Sequence, residues 1–390
     1  MRTTAERSGA RLLWIALSAV LAVALVSGCG AGGPSGAGGQ RASAPKAQVR
    51  LEPGSGSDIN PKTPVTASVR EGRLNHVALL NPDGEPVDGR TSPDGKTWTA
   101  TEKLGYDKDY TWTGSATGPD GRSVPVRGEF STLEPAEKVR ATINPTDGAE
   151  VGVAMPVSVK FDSEVADKAA AERALKVETS VPVEGSWAWV SDRQVDYRPK
   201  EYWPADTRVH VEADLYGVPY GSGAHGASDV STDFTVGRNQ VVKADAQTHQ
   251  LVVERDGRQV ASYPASYGLD GDPERNTPNG TYTVMEKNPV EIMDNPRYGY
   301  TDVEKTWAVR ISNHGEFIHE NDENAANLGS KNNSHGCINL SGADAKEYFD
   351  GALLGDPVEV TGGVTGMPPH YAVFDWLLSW QQWTAKSALR

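Results

Sequence analysis

The sequence predicts a mainly β protein: two small antiparallel sandwiches, a third β domain that carries the chemistry, and a short helical extension at the C-terminus. Three observations point there. Short runs alternate apolar and polar residues between turn sequences, as in Val65-Thr66-Ala67-Ser68-Val69 and Thr97-Trp98-Thr99-Ala100-Thr101, and a period of two marks a half-buried strand. The 390 residues include 41 Gly, 25 Pro, 13 Tyr and 10 Trp, with 37% hydrophobic, a usage that favours strands and turns over long helices. Residues 47–133 are also echoed by residues 134–237. Ile59-Asn60-Pro61 recurs as Ile143-Asn144-Pro145 and Pro64-Val65-Thr66 as Pro156-Val157-Ser158, and 129–132 closes one copy as 233–236 closes the other.

Residues 1–28 read as an export signal. Arg2, Arg7 and Arg11 precede an apolar run at 12–26, too short and wrongly flanked for a membrane span. The run ends Leu25-Val26-Ser27-Gly28-Cys29, which resembles the lipobox of bacterial lipoproteins. That resemblance implies that Cys29 is lipidated, becomes the mature N-terminus and holds the protein on the outer side of the cell membrane. Residues 29–46 are mostly Gly, Ala, Ser and Pro, a flexible tether with a mean span of roughly 20–25 Å. Cys337 is the other of the two cysteines, and an exported chain with one remaining thiol is expected to keep it for chemistry. A formal charge of −14 with no Lys/Arg run argues against a nucleic-acid partner.

Within the two sandwiches, Asn81-Pro82-Asp83-Gly84, Pro93-Asp94-Gly95 and Pro119-Asp120-Gly121 are turns. Residues 166–175 form one short helix inserted in the second copy. Trp187, Trp189 and Trp203 are expected in packing, not on a ligand platform. Neither copy holds a catalytic constellation, so both read as spacers.

The third domain runs over 238–362. It opens with strands at 250–254 and 259–263 around an Asp256-Gly257 turn. Residues 287–305 are long and irregular, rich in Pro, Asn, Asp and Tyr, and such a stretch in a compact domain is often a lid. Gly315-Glu316-Phe317-Ile318-His319 is a short strand that puts Phe317 and His319 on one face. The polar loop 320–333 then leads into Ser334-His335-Gly336-Cys337-Ile338-Asn339. A thiol needs a nearby base to react at neutral pH, usually an imidazole. Gly336 lets backbone N–H groups approach an oxyanion. Ser341 caps a helix over 343–349, with Asp344 in capping-box position, which would place Cys337 just ahead of a helix N-terminus that favours thiolate. A strand at 357–360 ends the domain. In the tail, 368–390, Trp376, Trp380 and Trp383 fall on one helical face, expected to dock on the catalytic domain, since the polar face lacks the basic residues of a membrane-surface helix.

Two plainer readings of the motif compete. One cysteine and two histidines lack paired metal-ligand spacing, so neither metal nor cofactor is expected. A merely buried cysteine fits poorly with the hydrophilic loop that delivers it.

His319, the loop, and Ser-His-Gly-Cys followed by a hydrophobe and Asn, with eighteen residues from histidine to cysteine, resemble the signature of the L,D-transpeptidases, cysteine enzymes that cross-link peptidoglycan. Thr277-Pro278-Asn279-Gly280 resembles that family's Thr-Pro-x-Gly turn. The layout also resembles actinobacterial members, whose spacers are immunoglobulin-like. The resemblance implies Cys337 as nucleophile and His319 as its base, with His335 stabilising the site or touching substrate. It implies an oxyanion held by the N–H groups of Gly336 and Cys337 with Tyr300, and a carbonyl of Glu320 or Gly315 orienting His319. Met293 and Tyr300 (or its neighbour Tyr298) belong to a flap over the donor peptide, and His314, Gly315, Ser334 and Asn339 complete the substrate site. The partners implied are peptidoglycan stem peptides, with carbapenem-type β-lactams as covalent inhibitors. The reaction implied joins a tetrapeptide donor to an amine of a second stem in a 3→3 link. A hydrolase with water as acceptor would use the same pair, whereas a non-catalytic wall-binding lipoprotein would need no activated thiol.

Overall fold

In the computed structural model, which describes residues 44–367 and 375–390, two strands near the start of each sandwich join its two main sheets, and in the second unit Glu137–Val139 comes before them in a small three-stranded sheet. In the first, Gln48–Glu52 pairs antiparallel with Thr66–Arg70, and the next strand, Ser55–Ile59, pairs parallel with Gly128–Thr132 in the opposite sheet. In the second, Ala141–Asn144 pairs antiparallel with Val157–Phe161, and Ala149–Val151 pairs parallel with Val230–Val236. The two units therefore repeat one topology, both are immunoglobulin-like sandwiches, and Pro64-Val65-Thr66 and Pro156-Val157-Ser158 lead into equivalent strands. The Ile-Asn-Pro match does not carry over: Ile59 ends the strand paired parallel with Gly128–Thr132, whereas Ile143 and Asn144 lie in the strand paired antiparallel with Val157–Phe161. Their cores are aromatic. Trp98 meets Trp112 edge-on at 5.4 Å in the first, and buried Trp187, Trp189 and Trp203 pack inside the second. The short helix is Lys168–Arg173, started by the Asp167 side chain accepting from Ala170 N–H. Export signal, Cys29 and almost all of the tether lie outside the described residues.

The third domain packs two sheets around buried Val242, Leu251, Tyr282, Ile318, Ile338 and Tyr348. One has five strands, in the order Arg258–Pro264, Gln250–Arg255, Gln240–Asp245, Pro357–Thr361, Gly280–Thr283. The other has four: Glu286–Asn295, Tyr300–Arg310, Phe317–Glu320 and Ile338–Leu340, the last two parallel. At the Asp256-Gly257 turn both residues take positive φ, 50° and 70°, the geometry a tight hairpin requires. Helix Gly342–Gly351 starts at the expected cap, Ser341 accepting from Asp344 N–H.

Two expectations change. Residues 287–305 are not irregular: Glu286–Asn295 and Tyr300–Arg310 form a long antiparallel hairpin with a register shift near Asp294. Pro289, which has no N–H to give, falls between the paired positions Asn288↔Ala308 and Val290↔Thr306, so the ladder survives it. The tail docks chiefly on the second sandwich, not on the catalytic domain. Trp383 is fully buried and donates to Ser186 O at 2.9 Å, and Trp376 donates to Ala154 O at 2.8 Å. Only Trp380–Thr384 is helical around these residues, with Trp376 in a preceding turn. The reason is electrostatic as well as apolar. The Arg198 guanidinium of the sandwich lies 4.5, 5.5 and 5.0 Å from the ring centres of Trp376, Trp380 and Trp383, and a desolvated cation binds aromatic faces strongly. Leu377 reaches the catalytic core, and Gly152 and Ala154 donate to Leu354 O and Gly355 O, so sandwich and catalytic domain are tied together.

Candidate active site

Strand alternation and register build the site. Phe317 and His319 project to one face of their strand, and parallel pairing sets His319 opposite Asn339 and Ile318 opposite Ile338. Cys337, one residue before its strand, thus comes to the His319 face. His319 is buried, and its Nδ1 lies 2.6 Å from Glu320 O. A carbonyl only accepts, so Nδ1 carries the proton and Nε2 keeps the lone pair. Of the two carbonyls considered, Glu320 orients the ring, while Gly315 O accepts instead from the Cys337 thiol, at 3.7 Å.

The loop before the thiol is held by two hydroxyls. Ser334 Oγ accepts from Gly336 N–H at 3.1 Å and donates to Cys337 O at 2.6 Å. Thr277, buried in the Thr-Pro-x-Gly turn, donates its hydroxyl to Gly336 O at 2.9 Å and accepts from Gly268 N–H. Gly336 has φ +123°, strained for any L side chain. Its N–H is therefore engaged by Ser334 and is not turned to an oxyanion, contrary to the sequence expectation. Thr277 is the positioning residue that the sequence reading placed only in a turn.

Two cavities meet at Cys337. One, called inner only because it lies on the side of the base, is about 370 Å³ and is lined by His319, Lys305, Asn321, Glu323, Ser334 and Asn339 among others. An outer one, about 440 Å³, is lined by Glu291, Arg310, His314, Gly315, Glu316 and Tyr298 among others. Met293, Tyr300, His335 and Cys337 line both. Of the tyrosine pair, Tyr300 thus faces both cavities and Tyr298 the outer one. His335 stacks on Tyr298 at 4.6 Å and lies 5.4 Å from Tyr300. His314 Nδ1 meets the buried Glu316 carboxylate at 2.7 Å, and Glu316 also accepts from Ser312 Oγ. The carboxylate raises the imidazole's proton affinity. The hairpin roofs both cavities, its tip held by an Arg297–Glu274 ion pair and by Tyr298 OH donating to Glu274 O at 3.1 Å. Among the described residues no group of His, Cys, Asp and Glu is placed to hold a metal ion.

Electrostatics correct a second expectation. The residue after Cys337 enters a strand, not a helix, so no helix N-terminus favours the thiolate. Burial pushes the thiol up to about 12, and the Glu316 charge adds to it, against the Phe317 N–H, Arg310 and Lys305. Burial likewise lowers His319 to about 4, with the Lys305 charge helping and the Glu320 carbonyl opposing. Desolvation thus favours a neutral thiol and a neutral imidazole over a resting ion pair. Alkylation of Cys337 by iodoacetamide should therefore keep rising by about tenfold per pH unit past pH 9, where an ordinary thiol of pKa ~8.5 levels off. A plateau below pH 7 would mean a preformed thiolate–imidazolium pair.

The L,D-transpeptidase catalytic domain family matches residues 239–360, and the bacterial Ig domain family matches residues 56–219. L,D-transpeptidase 5 of Mycobacterium tuberculosis is 47% identical over 343 residues, which cover 86% of this chain and 75% of that protein. L,D-transpeptidase 2 of the same species is 39% identical over 335 residues, covering 83% and 81%. A solved LD transpeptidase in complex with imipenem is 33% identical and covers 58% of this chain and 100% of its own, with a TM-score of 0.49.

Proposed function

The chain belongs to the L,D-transpeptidase family, and from that premise we propose that it forms 3→3 peptidoglycan cross-links by acyl transfer through Cys337. The family acts on the cell wall, so the enzyme works outside the cytoplasm. Anchoring through a lipid on Cys29 belongs to the proposal. So does covalent inhibition by carbapenems, whose strained ring offers the thiol an acyl group.

The observation that carries the reading is the place of the thiol at the junction of two cavities, only one of which His319 lines. A transferase has to hold an acyl donor and an amine acceptor against one sulfur, and two approaches provide for both. The stem of the donor lies in the outer cavity. His319 Nε2 takes the thiol proton as sulfur attacks the carbonyl of the third residue. The Cys337 N–H, with the Tyr300 hydroxyl, receives the oxyanion. The C–N bond then breaks, and the imidazolium returns its proton to the leaving amine of the fourth residue. An acceptor amine next enters the inner cavity, because the base that must deprotonate it lies there. It attacks the thioester, His319 takes its proton, and the departing sulfur recovers that proton.

Water competes for the same thioester and is held off by the hairpin roof. The test is to react the protein with a tetrapeptide muropeptide and weigh the products. A dimer lacking one terminal residue is expected, and tripeptide alone would favour the hydrolase. Replacing the hairpin tip, residues 295–299, with a two-residue turn should raise the tripeptide-to-dimer ratio severalfold at fixed acceptor concentration. An unchanged ratio at lower turnover would assign the hairpin to donor binding instead of to shielding.

A further inference from the structure

Lys305 stands out in the inner cavity. Only 12% of its side chain is exposed, although it bears a charge. Its hydrogen-bond partner is a neutral oxygen, Asn321 Oδ1 at 3.0 Å. The nearest carboxylate, Glu323, is 3.9 Å away with 91% of its side chain in solvent, too distant and too hydrated to neutralise a buried ammonium. Apart from that exposed Glu323, the Asn324 and Asn333 floor beside Lys305 offers no charge. Asn324 and Asn333 bond to each other through both amides, at 2.8 and 2.9 Å, so that floor is neutral and self-satisfied. Lys305 is the one Lys or Arg among the described residues lining this cavity. It is close enough for its charge to act on both His319 and Cys337. A nearly buried cation with a neutral partner is costly unless an anion joins it.

The reaction supplies such an anion next to the base. The residue expelled from the donor is an α-amino acid whose amine must take its proton from His319, and its carboxylate hangs on the same carbon. The acceptor presents an amine to the same nitrogen, and where that amine sits on an α-carbon it has a carboxylate beside it too. Resting on the acyl-transfer reading above, we infer that Lys305 is a specificity residue of the inner cavity that binds the carboxylate carried on the same carbon as the reacting amine. Asn321 aims the ammonium, and the charge-assisted contact places the amine at His319 Nε2 for either direction of proton transfer.

The experiment uses the full chain and two arms. In the donor arm, release of the terminal residue is compared for a tetrapeptide ending in a free carboxylate and the same peptide ending in a carboxamide. In the acceptor arm, dimer formation is compared for acceptors with the carboxylate beside the amine free or amidated. Reading ratios cancels any general effect of a substitution on thiol, base or folded fraction. Wild type should prefer the free carboxylate by about tenfold in kcat/KM, the scale of one charge-assisted hydrogen bond. Lys305→Met should bring the ratio near one, and Lys305→Arg should keep it. Collapse of the preference in either arm supports the assignment and tells whether the expelled residue or the acceptor is read. A wild type indifferent to amidation in both arms, or a Lys305→Met enzyme that keeps the preference, overturns it. Failure of the wild type to release any terminal residue from the free-acid donor would instead overturn the acyl-transfer reading.

Discussion

Cys337→Ala is expected to abolish both release of the terminal residue and covalent capture of a carbapenem, a loss on the order of 10⁴-fold or more, as when a nucleophile is deleted. Among the described residues Cys337 is the one free cysteine, and it stands where the two cavities join. No neighbour can replace it. His319, Ser334 and Tyr300 line the same space, but Ser334 Oγ is committed to closing the loop. The substitution should leave the fold nearly untouched. The sulfur is half-buried and its contact with Gly315 O is long at 3.7 Å, so a stability change within about 0.5 kcal/mol is expected. Intact mass after incubation with a carbapenem reads the result, alongside a melting curve. An adduct on the alanine variant would sink the assignment.

His319→Gln should cost acylation about 10²–10⁴-fold, the usual contribution of a positioned general base. Glutamine keeps a donor for Glu320 O but cannot accept the thiol proton. The pH profile separates a lost base from a disturbed structure. With its folded pKa at about 4, His319 is neutral and competent down to near pH 5, so the acid limb of wild-type acylation should lie near 4. An ordinary imidazole would give a limb at about 6.5. The variant should lack that limb while remaining slow throughout. The sign for stability follows from the same depression. The folded state resists protonating His319, so its contribution is present above the unfolded value and lost as pH falls through the folded one. His319→Gln should therefore lose less stability than wild type between about pH 6.5 and 4. An acid limb at pH 6–7 in the wild type would show an imidazole open to water.

Much of this protein is legible in its residues because many of its devices are local. Turn chemistry needs only neighbours, as at Asp256-Gly257, where both residues take positive φ. So does the cap at Ser341 and Asp344. The motif from Ser334 to Asn339, with a histidine on a strand eighteen residues before the thiol, fixes which side chains can share a face. The topological repeat of the sandwiches shows through Pro64-Val65-Thr66 and Pro156-Val157-Ser158, which enter equivalent strands, and through the closing strands at 129–132 and 233–236.

Tertiary structure decided the rest, wherever the outcome depends on what arrives from far along the chain. The 287–305 stretch looks irregular by composition, yet cross-strand hydrogen bonds and register make it a hairpin despite Pro289. The tryptophan spacing gives a face but not its target, and Arg198, nearly two hundred residues earlier, draws the tail to the second sandwich. Gly336 looks like an oxyanion donor until Ser334 and Thr277 are seen to hold its two polar groups. Above all, sequence names the acid and base without their charge. Whether Cys337 and His319 rest as an ion pair or as neutral groups depends on desolvation by everything packed around them, and that desolvation favours the neutral forms.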